Sequence, residues 1–275
     1  MLINIIIGKR SNLSRNLSGK IANSVLIPSS NIELELNELF LCNYDSINII
    51  FNQFQPATKL YKLDSPITYI NNSIATTASV LEYIIEHSLK INKIIYTSSS
   101  SVYGNNKNCS EIDTPAPLSL HSSLKLANEN LVKLFSENNN IDYTIARVFN
   151  MYGGNDQFSI VSKIINAYKN STPLSLINNG SAIRDYIHID DVVKIYIELL
   201  SVKNVYYVNV GTGKGGSVLS ILEFLRVQGV TIKTISTKRV ELRASVSNSS
   251  YLNDLVGDIY FLKVKDFIIN ALSGE

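Results

Sequence analysis

Apolar residues in the first half of the chain fall into short β-branched runs separated by stretches with helical spacing. LINIIIG (2–8), SVLIP (24–28), INIIF (47–51), KIIYTS (93–98) and DYTIARVF (142–149) are strand-like. A helical stretch follows the first run near 12–23, NNSIATTASVLEYIIEH (71–87) has helical periodicity, and a further helix is predicted over 121–137. Such an alternation predicts an α/β fold, a doubly wound parallel sheet with helices on both faces. Beyond residue 150 the pattern becomes mixed and turn-rich, with NNGSAIRD and GTGKGG. The expected division is a nucleotide-binding domain over 1–150, with 188–210 folding back onto it. A smaller C-terminal substrate lobe would comprise 151–187 and 211–275.

Composition narrows the partners. The 275 residues carry 25 Lys+Arg against 23 Asp+Glu, a net charge of +2. No basic run calls for nucleic acid or a membrane surface. Cys42 and Cys109 lack metal-ligand spacing and read as reduced thiols, so no metal is expected. The opening MLINIIIG is a short apolar run with no basic region before it, and fits a buried strand better than a leader or a membrane span. A cytoplasmic protein is expected.

In doubly wound sheets ligands bind at the carboxyl ends of the strands. GKRSNLS (8–14), TSSSSVYG (97–104) and FNMYGG (149–154) follow the first, fourth and fifth runs, and are expected to converge on one crevice. Gly8, Ser11 and Ser14 keep a G-x-x-G-x-x-G spacing with serine at two places. Small residues there let backbone approach a pyrophosphate. Serine accepts positive φ less readily than glycine, and an ordinary strand–helix turn gives the same pattern. PSSN (28–31) offers no carboxylate for a ribose before Glu33, whereas Lys9 and Arg10 stand in the first loop. That favours NADP(H) over NAD(H), which remains possible.

IIYTSSSSVYG followed by SLHSSLKLANE resembles the extended short-chain dehydrogenase/reductase family of NAD(P)-dependent nucleotide-sugar epimerases, dehydratases and reductases. NNSIATTASVLE, with Asn72 and Thr76, ARVFNMYGG, NNGSAIRDYIHIDDVV and VNVGTGKGGSV resemble further family segments in the expected order. The resemblance implies a Rossmann-type sheet and a nucleotide-diphosphate sugar as partner. It implies coenzyme contacts at Gly8, Lys9, Arg10, Ser11, Leu13, Ser29, Asn52, Thr97, Lys125 and Val148, and substrate contacts at Ser100, Asn150 and Arg184. Ser99 would bond the reacting hydroxyl or carbonyl, and Lys125 would hold the nicotinamide ribose. Arg184 would grip the diphosphate, the alternative being a turn arginine paired with Asp185 or a neighbouring carboxylate. A homodimer is implied through the helices near 72–88 and 121–137, with Val80, Leu81, Ile84 and Ile85 shared between core and partner.

The family pattern is Tyr-x-x-x-Lys, and His121 stands where that tyrosine would be. Neutral imidazole keeps one N–H donor and one acceptor, and a neighbouring Lys⁺ favours the neutral form. Three roles are open. His121 replaces the tyrosine as acid and base; Ser99, water, Tyr103 or Tyr152 carries the proton; or the chain is a weakened NADP and nucleotide-sugar binding module. The segment SSSSVYG lacks the Asp-Glu pair of the family's dehydratases and the cysteine of its epimerase–reductases. Simple 4-keto-sugar reduction with exchangeable NADPH, in surface-polysaccharide sugar biosynthesis, is the leading expectation. Epimerisation at C4 with bound NAD is the alternative.

Overall fold

The computed structural model describes residues 1–53, 65–257 and 259–273. The chain divides into two compact units. One comprises Met1–Val102, Pro115–Arg147 and Val193–Val208, the other Tyr103–Thr114, Val148–Val192 and Asn209–Glu275.

In chain order the first elements are β1 (Leu2–Ile7), α1 (Asn12–Ser18), β2 (Ser24–Ile27), α2 (Ile32–Glu38), β3 (Ser46–Phe51), α3 (Pro66–Ile70) and α4 (Thr76–Glu86). Then come β4 (Ile91–Ser99), α5 (Leu120–Asn138), β5 (Asp142–Val148), β6 (Asn150–Tyr152), α6 (Ile160–Lys169), β7 (Leu174–Ile177), β8 (Ile183–His188) and α7 (Ile189–Ser201). The chain closes with β9 (Tyr207–Val210), β10 (Gly215–Ser217), α8 (Val218–Val227), β11 (Thr234–Thr237), β12 (Ala244–Ser245), α9 (Ser250–Val256) and α10 (Val264–Ser273).

The fold is α/β of Rossmann type, a six-stranded parallel sheet ordered β2-β1-β3-β4-β5-β9. Successive strand residues point to opposite faces. Ile5, Ile6 and Ile7 are all fully buried, so both faces of β1 are covered, as the continuous apolar run predicts. The strands are pinned in register by a ladder of side-chain amides, buried at Asn4 and Asn48 and half-buried at Asn92. Asn48 donates to Asn4 Oδ1 at 2.9 Å, and Asn92 donates to Asn48 Oδ1 at 2.8 Å. The strand order reverses between β1 and β3, which places the ligand-binding crevice of such a sheet at their carboxyl ends.

Three expectations are corrected. The first helix stops at Ser18 rather than continuing to 23, because the chain turns at Gly19 and Asn23 takes a left-handed φ of 51°. The helix predicted over 71–87 begins earlier, at Pro66, and passes through a π-helical turn at Asn71–Ala75 before α4. Val80, Leu81 and Ile84 are buried in the chain's own core, packing with Ile32, Leu36 and Ile94. Only Ile85 of the expected shared set is exposed, at 53%.

In the second unit β8 is central, pairing with β6, β10 and β12, while β7 pairs with β11. Its core joins Tyr152, Val161, Ile164, Leu174, Ile221, Leu225 and Ile268. The buried carboxylate of Asp185 accepts hydrogen bonds from the backbone and hydroxyls of Thr212 and Ser247 and from the Gly213 N–H. Those donors satisfy a charge that would be costly if left bare.

Candidate functional site

At the end of β1 the chain turns through Gly8, whose φ is +108°. A Cβ there would lie 2.5 Å from the Asn52 carbonyl oxygen, so only glycine fits between the ends of β1 and β3. The two serines of the spaced pattern do a different job. Ser11 has a φ of −65° and needs no glycine. Asn52 Nδ2 donates to Ser11 Oγ at 3.1 Å and to Ser14 Oγ at 2.9 Å. Thus the turn is tied by side chains where a glycine fingerprint would leave open backbone. Gly8, Lys9, Arg10, Ser11, Pro28 and Ser29 line a small cavity of about 70 Å³. Lys9 and Arg10 are exposed, and among the described residues no carboxylate lines the cavity. Leu13 is buried inward of this turn.

Helix α5 begins where its sequence dictates. Ser119 is the N-cap: its hydroxyl accepts from the Ser122 N–H at 3.2 Å, and the Ser122 hydroxyl accepts from the Ser119 N–H at 3.0 Å. This fixes His121 in the first turn and Lys125 one turn later on the same face. The Lys125 ammonium donates to the main-chain oxygens of Thr97 at 2.7 Å and Gln53 at 3.4 Å, bridging the ends of β4 and β3. It also lies 5.0 Å from the centre of the Tyr96 ring. His121 and Lys125 line a cavity of about 10 Å³, room for one water, with Gln53, Asn72, Ser73, Tyr96 and Leu124.

Burial sets the electrostatics. Desolvation, and then the Lys125 charge, hold the His121 imidazole down at a pKa of about 4. Desolvation lowers Lys125 to about 8, with the Glu129 carboxylate pulling the other way. At neutral pH His121 is therefore neutral, and Lys125 is the group of the pair that titrates near working pH.

The serine segment ends β4 and enters a short 3₁₀ turn at Ser100–Tyr103. Ser99 Oγ accepts from the Ser101 N–H at 3.2 Å and from the Ser101 hydroxyl at 3.0 Å. Its own O–H donor is left for another partner. Ser100 is half-buried beside it. The Thr97 hydroxyl pairs with the Tyr196 hydroxyl at 2.7 Å. Ser98 donates to Glu129, which also receives a bidentate grip from Arg147, at 3.1 Å from Nε and 2.7 Å from Nη2. Glu129 and Arg147 were not singled out from the sequence. The four-residue spacing from Lys125 to Glu129 was a usable signal; the partner on β5 was not.

In the second unit, Asn150 and Arg184 line one cavity of about 410 Å³, together with Lys163, Tyr186 and Glu241. That volume is within the range of small-ligand sites. Val148, at the end of β5, is buried. Asn150 donates to the Asp185 carbonyl at 3.2 Å. Arg184 lies on strand β8 and donates to the Ile183 and Leu242 carbonyls, both at 2.8 Å, and to Glu241 at 3.5 Å. Its carboxylate partner is thus Glu241, not Asp185, whose charge is spent on Thr212, Gly213 and Ser247. An incoming anion would compete with Glu241 for the guanidinium. Tyr103 and Tyr152 are poor candidates for the proton-carrying role. Both are buried, and their hydroxyls donate to Asn209 Oδ1 at 2.7 Å and the Leu262 carbonyl at 2.8 Å.

Among the described residues no group of His, Cys, Asp and Glu is placed to hold a metal, and no helix is long and apolar enough to cross a membrane.

A tight glycine turn at a Rossmann crevice, with a lysine bridging the next two strand ends, stands where doubly wound sheets bind their ligands. The sequence profile of the NAD dependent epimerase/dehydratase family matches residues 21–211, and the chain belongs to that family. Protein CapI of Staphylococcus aureus is 32% identical over 178 residues, 60% of this chain and 52% of that protein. A putative UDP-glucose 4-epimerase of Methanocaldococcus jannaschii is 27% identical over 192 residues, 67% of this chain and 62% of that protein. The chain therefore spans between half and two thirds of the length of these relatives. The solved structure of MoeE5 with UDP-glucuronic acid and NAD superposes with a TM-score of 0.85 at 20% identity, covering 98% of both chains.

Proposed function

We propose that the chain inverts C4 of a nucleotide-diphosphate sugar by transient oxidation and reduction, as an NAD(P)-dependent 4-epimerase. The observation that carries this reading is the Lys125 ammonium bonded across the ends of β3 and β4 beside His121, in the same unit as the Gly8 turn. The 4-epimerase title of the Methanocaldococcus relative supports it, as do the UDP-glucuronic acid and NAD of MoeE5. Epimerisation thereby replaces reduction as the leading reading.

The cavity beside the Gly8 turn suits the coenzyme's phosphates and ribose, because it is lined by the small residues Gly8, Ser11 and Ser29 and by the cations Lys9 and Arg10. Bound NAD or NADP supplies the hydride acceptor and donor. The protein handles the proton. Ser99 presents its O–H to the C4 oxygen. His121, neutral at pH 7, accepts a hydrogen bond from the C4 hydroxyl and orients it. Lys125 commits two of its three N–H donors to Gln53 and Thr97. In the oxidative half the neutral Lys125 amine, still bonded to Gln53 and Thr97, takes the C4 hydroxyl proton through the one-water cavity, and in the reductive half the ammonium returns it to the C4 oxygen by the same route. In the second unit, Asn150, Lys163 and Arg184 are proposed to receive the diphosphate, with Arg184 released from Glu241.

A second reading, reduction of a 4-keto sugar by NADPH, rests on Lys9 and Arg10 beside a cavity where the described residues place no carboxylate, which suits a 2′-phosphate. One experiment separates the two. The protein is incubated with UDP-glucose or UDP-glucuronic acid and catalytic NAD⁺ or NADP⁺, and the C4 configuration is read by proton NMR. A C4 epimer without net coenzyme reduction supports epimerisation. No epimer, but NADPH consumption on a nucleotide-linked 4-keto sugar, supports reduction.

A further inference from the structure

A buried, hydrogen-bonded charge beside Lys125 is not among the residues assigned to coenzyme or substrate. Glu129 is 1% exposed, one helical turn beyond Lys125 on α5. Its carboxylate accepts from Ser98 on β4 and from both Nε and Nη2 of Arg147 on β5. Arg147 is itself 2% exposed, and its guanidinium lies 4.9 Å from the centre of the Tyr207 ring. Ser98 directly follows Thr97, whose carbonyl receives the Lys125 ammonium. Two successive turns of α5 are thus bonded to two successive residues of β4.

We infer that Glu129 is a positioning residue for Lys125, locking the turn of α5 that carries the ammonium onto the end of β4 and setting an anion behind it. A buried Glu–Arg pair gains little stability over apolar residues of similar volume, so stability alone is a weak reason for its presence. Its place beside Lys125 gives it a purpose. The lysine is desolvated, which favours loss of its proton. The Glu129 charge opposes that loss. Among the described residues the other ionisable groups around Lys125 are His121 on the same helix, Tyr96 on β4, and Tyr196 on α7 behind Thr97. Arg147 and Tyr207 lie behind Glu129. The purpose rests on the proposed coenzyme chemistry, but the test does not.

The test is a lysine side-chain NMR titration with ¹⁵N-labelled lysine, Lys125 being assigned by its absence in Lys125→Arg. In the wild type Lys125 should titrate near pH 8. Glu129→Gln keeps the shape and removes the charge, and should move the midpoint down by about one pH unit. At pH 8 the protonated fraction would fall from about one half to about one tenth. The pH at which NADH affinity declines should move with it. Glu129→Asp, which keeps the charge, should restore most of the wild-type midpoint. An unchanged midpoint in folded Glu129→Gln overturns the inference. If that variant fails to fold for want of a partner to Arg147, Glu129→Gln/Arg147→Gln removes both charges. Its Lys125 midpoint is compared with that of Arg147→Gln, from which it differs only in the Glu129 charge, and must lie below it; equal midpoints overturn the inference. A shifted midpoint in a protein that epimerises no sugar would support the role of Glu129 and count against the proposed reaction.

Discussion

The Lys125 ammonium lies 2.7 Å from the main-chain oxygen of Thr97, which ties the face of α5 that also carries His121 to the carboxyl end of β4. Burial then separates the two groups. Imidazolium forms only near pH 4, whereas Lys125 exchanges its proton near pH 8. If Lys125 returns the proton to the C4 oxygen, the reductive half-reaction needs its protonated form. Single-turnover reduction of a 4-keto sugar should therefore slow as pH rises through about 8 and be level between 5 and 7. A fall centred near pH 4 would instead make His121 the donor.

The same histidine gives a stability prediction. Its pKa is 6.5 when unfolded and about 4 when folded. Between those values the unfolded chain binds more protons, so stability rises with pH and is lost on acidification from 6.5 toward 4. The loss attributable to His121 should be on the order of 2 kcal/mol. Urea midpoints at pH 7 and pH 4.5 should therefore differ more in the wild type than in His121→Gln. Equal differences would show that His121 titrates normally.

Gly8→Ala places a methyl group 2.5 Å from the Asn52 oxygen at a φ of +108°. The clash and the backbone strain should cost on the order of 2 kcal/mol in stability and more than ten-fold in NAD(H) affinity. Thermal melting and coenzyme titration read the two effects separately. Wild-type values for both would mean that the turn relaxes without cost.

Much of the sheet was legible because isoleucine-rich runs such as 5–7 and INII (47–50) are covered on both faces. The strand-end loops followed from that topology. The direction of the His121 shift was legible from Lys125 four residues on; its extent and the lowering of Lys125 were not, because desolvation depends on what packs over the pair. Pairings across the sheet were also hidden. Ser98, Glu129 and Arg147 meet only after β4, α5 and β5 are in register. Ser11 and Ser14 read as degraded glycines, yet in the fold they are the partners of a buried amide.

Arg10 and Lys9, beside a cavity where the described residues place no carboxylate, predict tighter binding of NADPH than NADH. Arg10→Ala should reduce NADPH affinity by about ten-fold and leave NADH affinity within two-fold, since a 2′-phosphate contact is the one removed. Fluorescence titration of both coenzymes checks this. Equal wild-type affinities, or no NADPH-specific loss in the variant, would place these cations outside the ribose site.

The proposed reaction is tested most directly by the fate of the sugar's own C4 hydrogen. UDP-glucose and UDP-glucuronic acid deuterated at C4 are incubated with the protein and catalytic coenzyme, and the products are examined by NMR and mass spectrometry. The account predicts the C4 epimer with deuterium retained at C4, because the hydride that leaves returns to the same carbon. Absence of any C4 epimer from these sugars, or an epimer that has exchanged its C4 deuterium for solvent hydrogen, would contradict it.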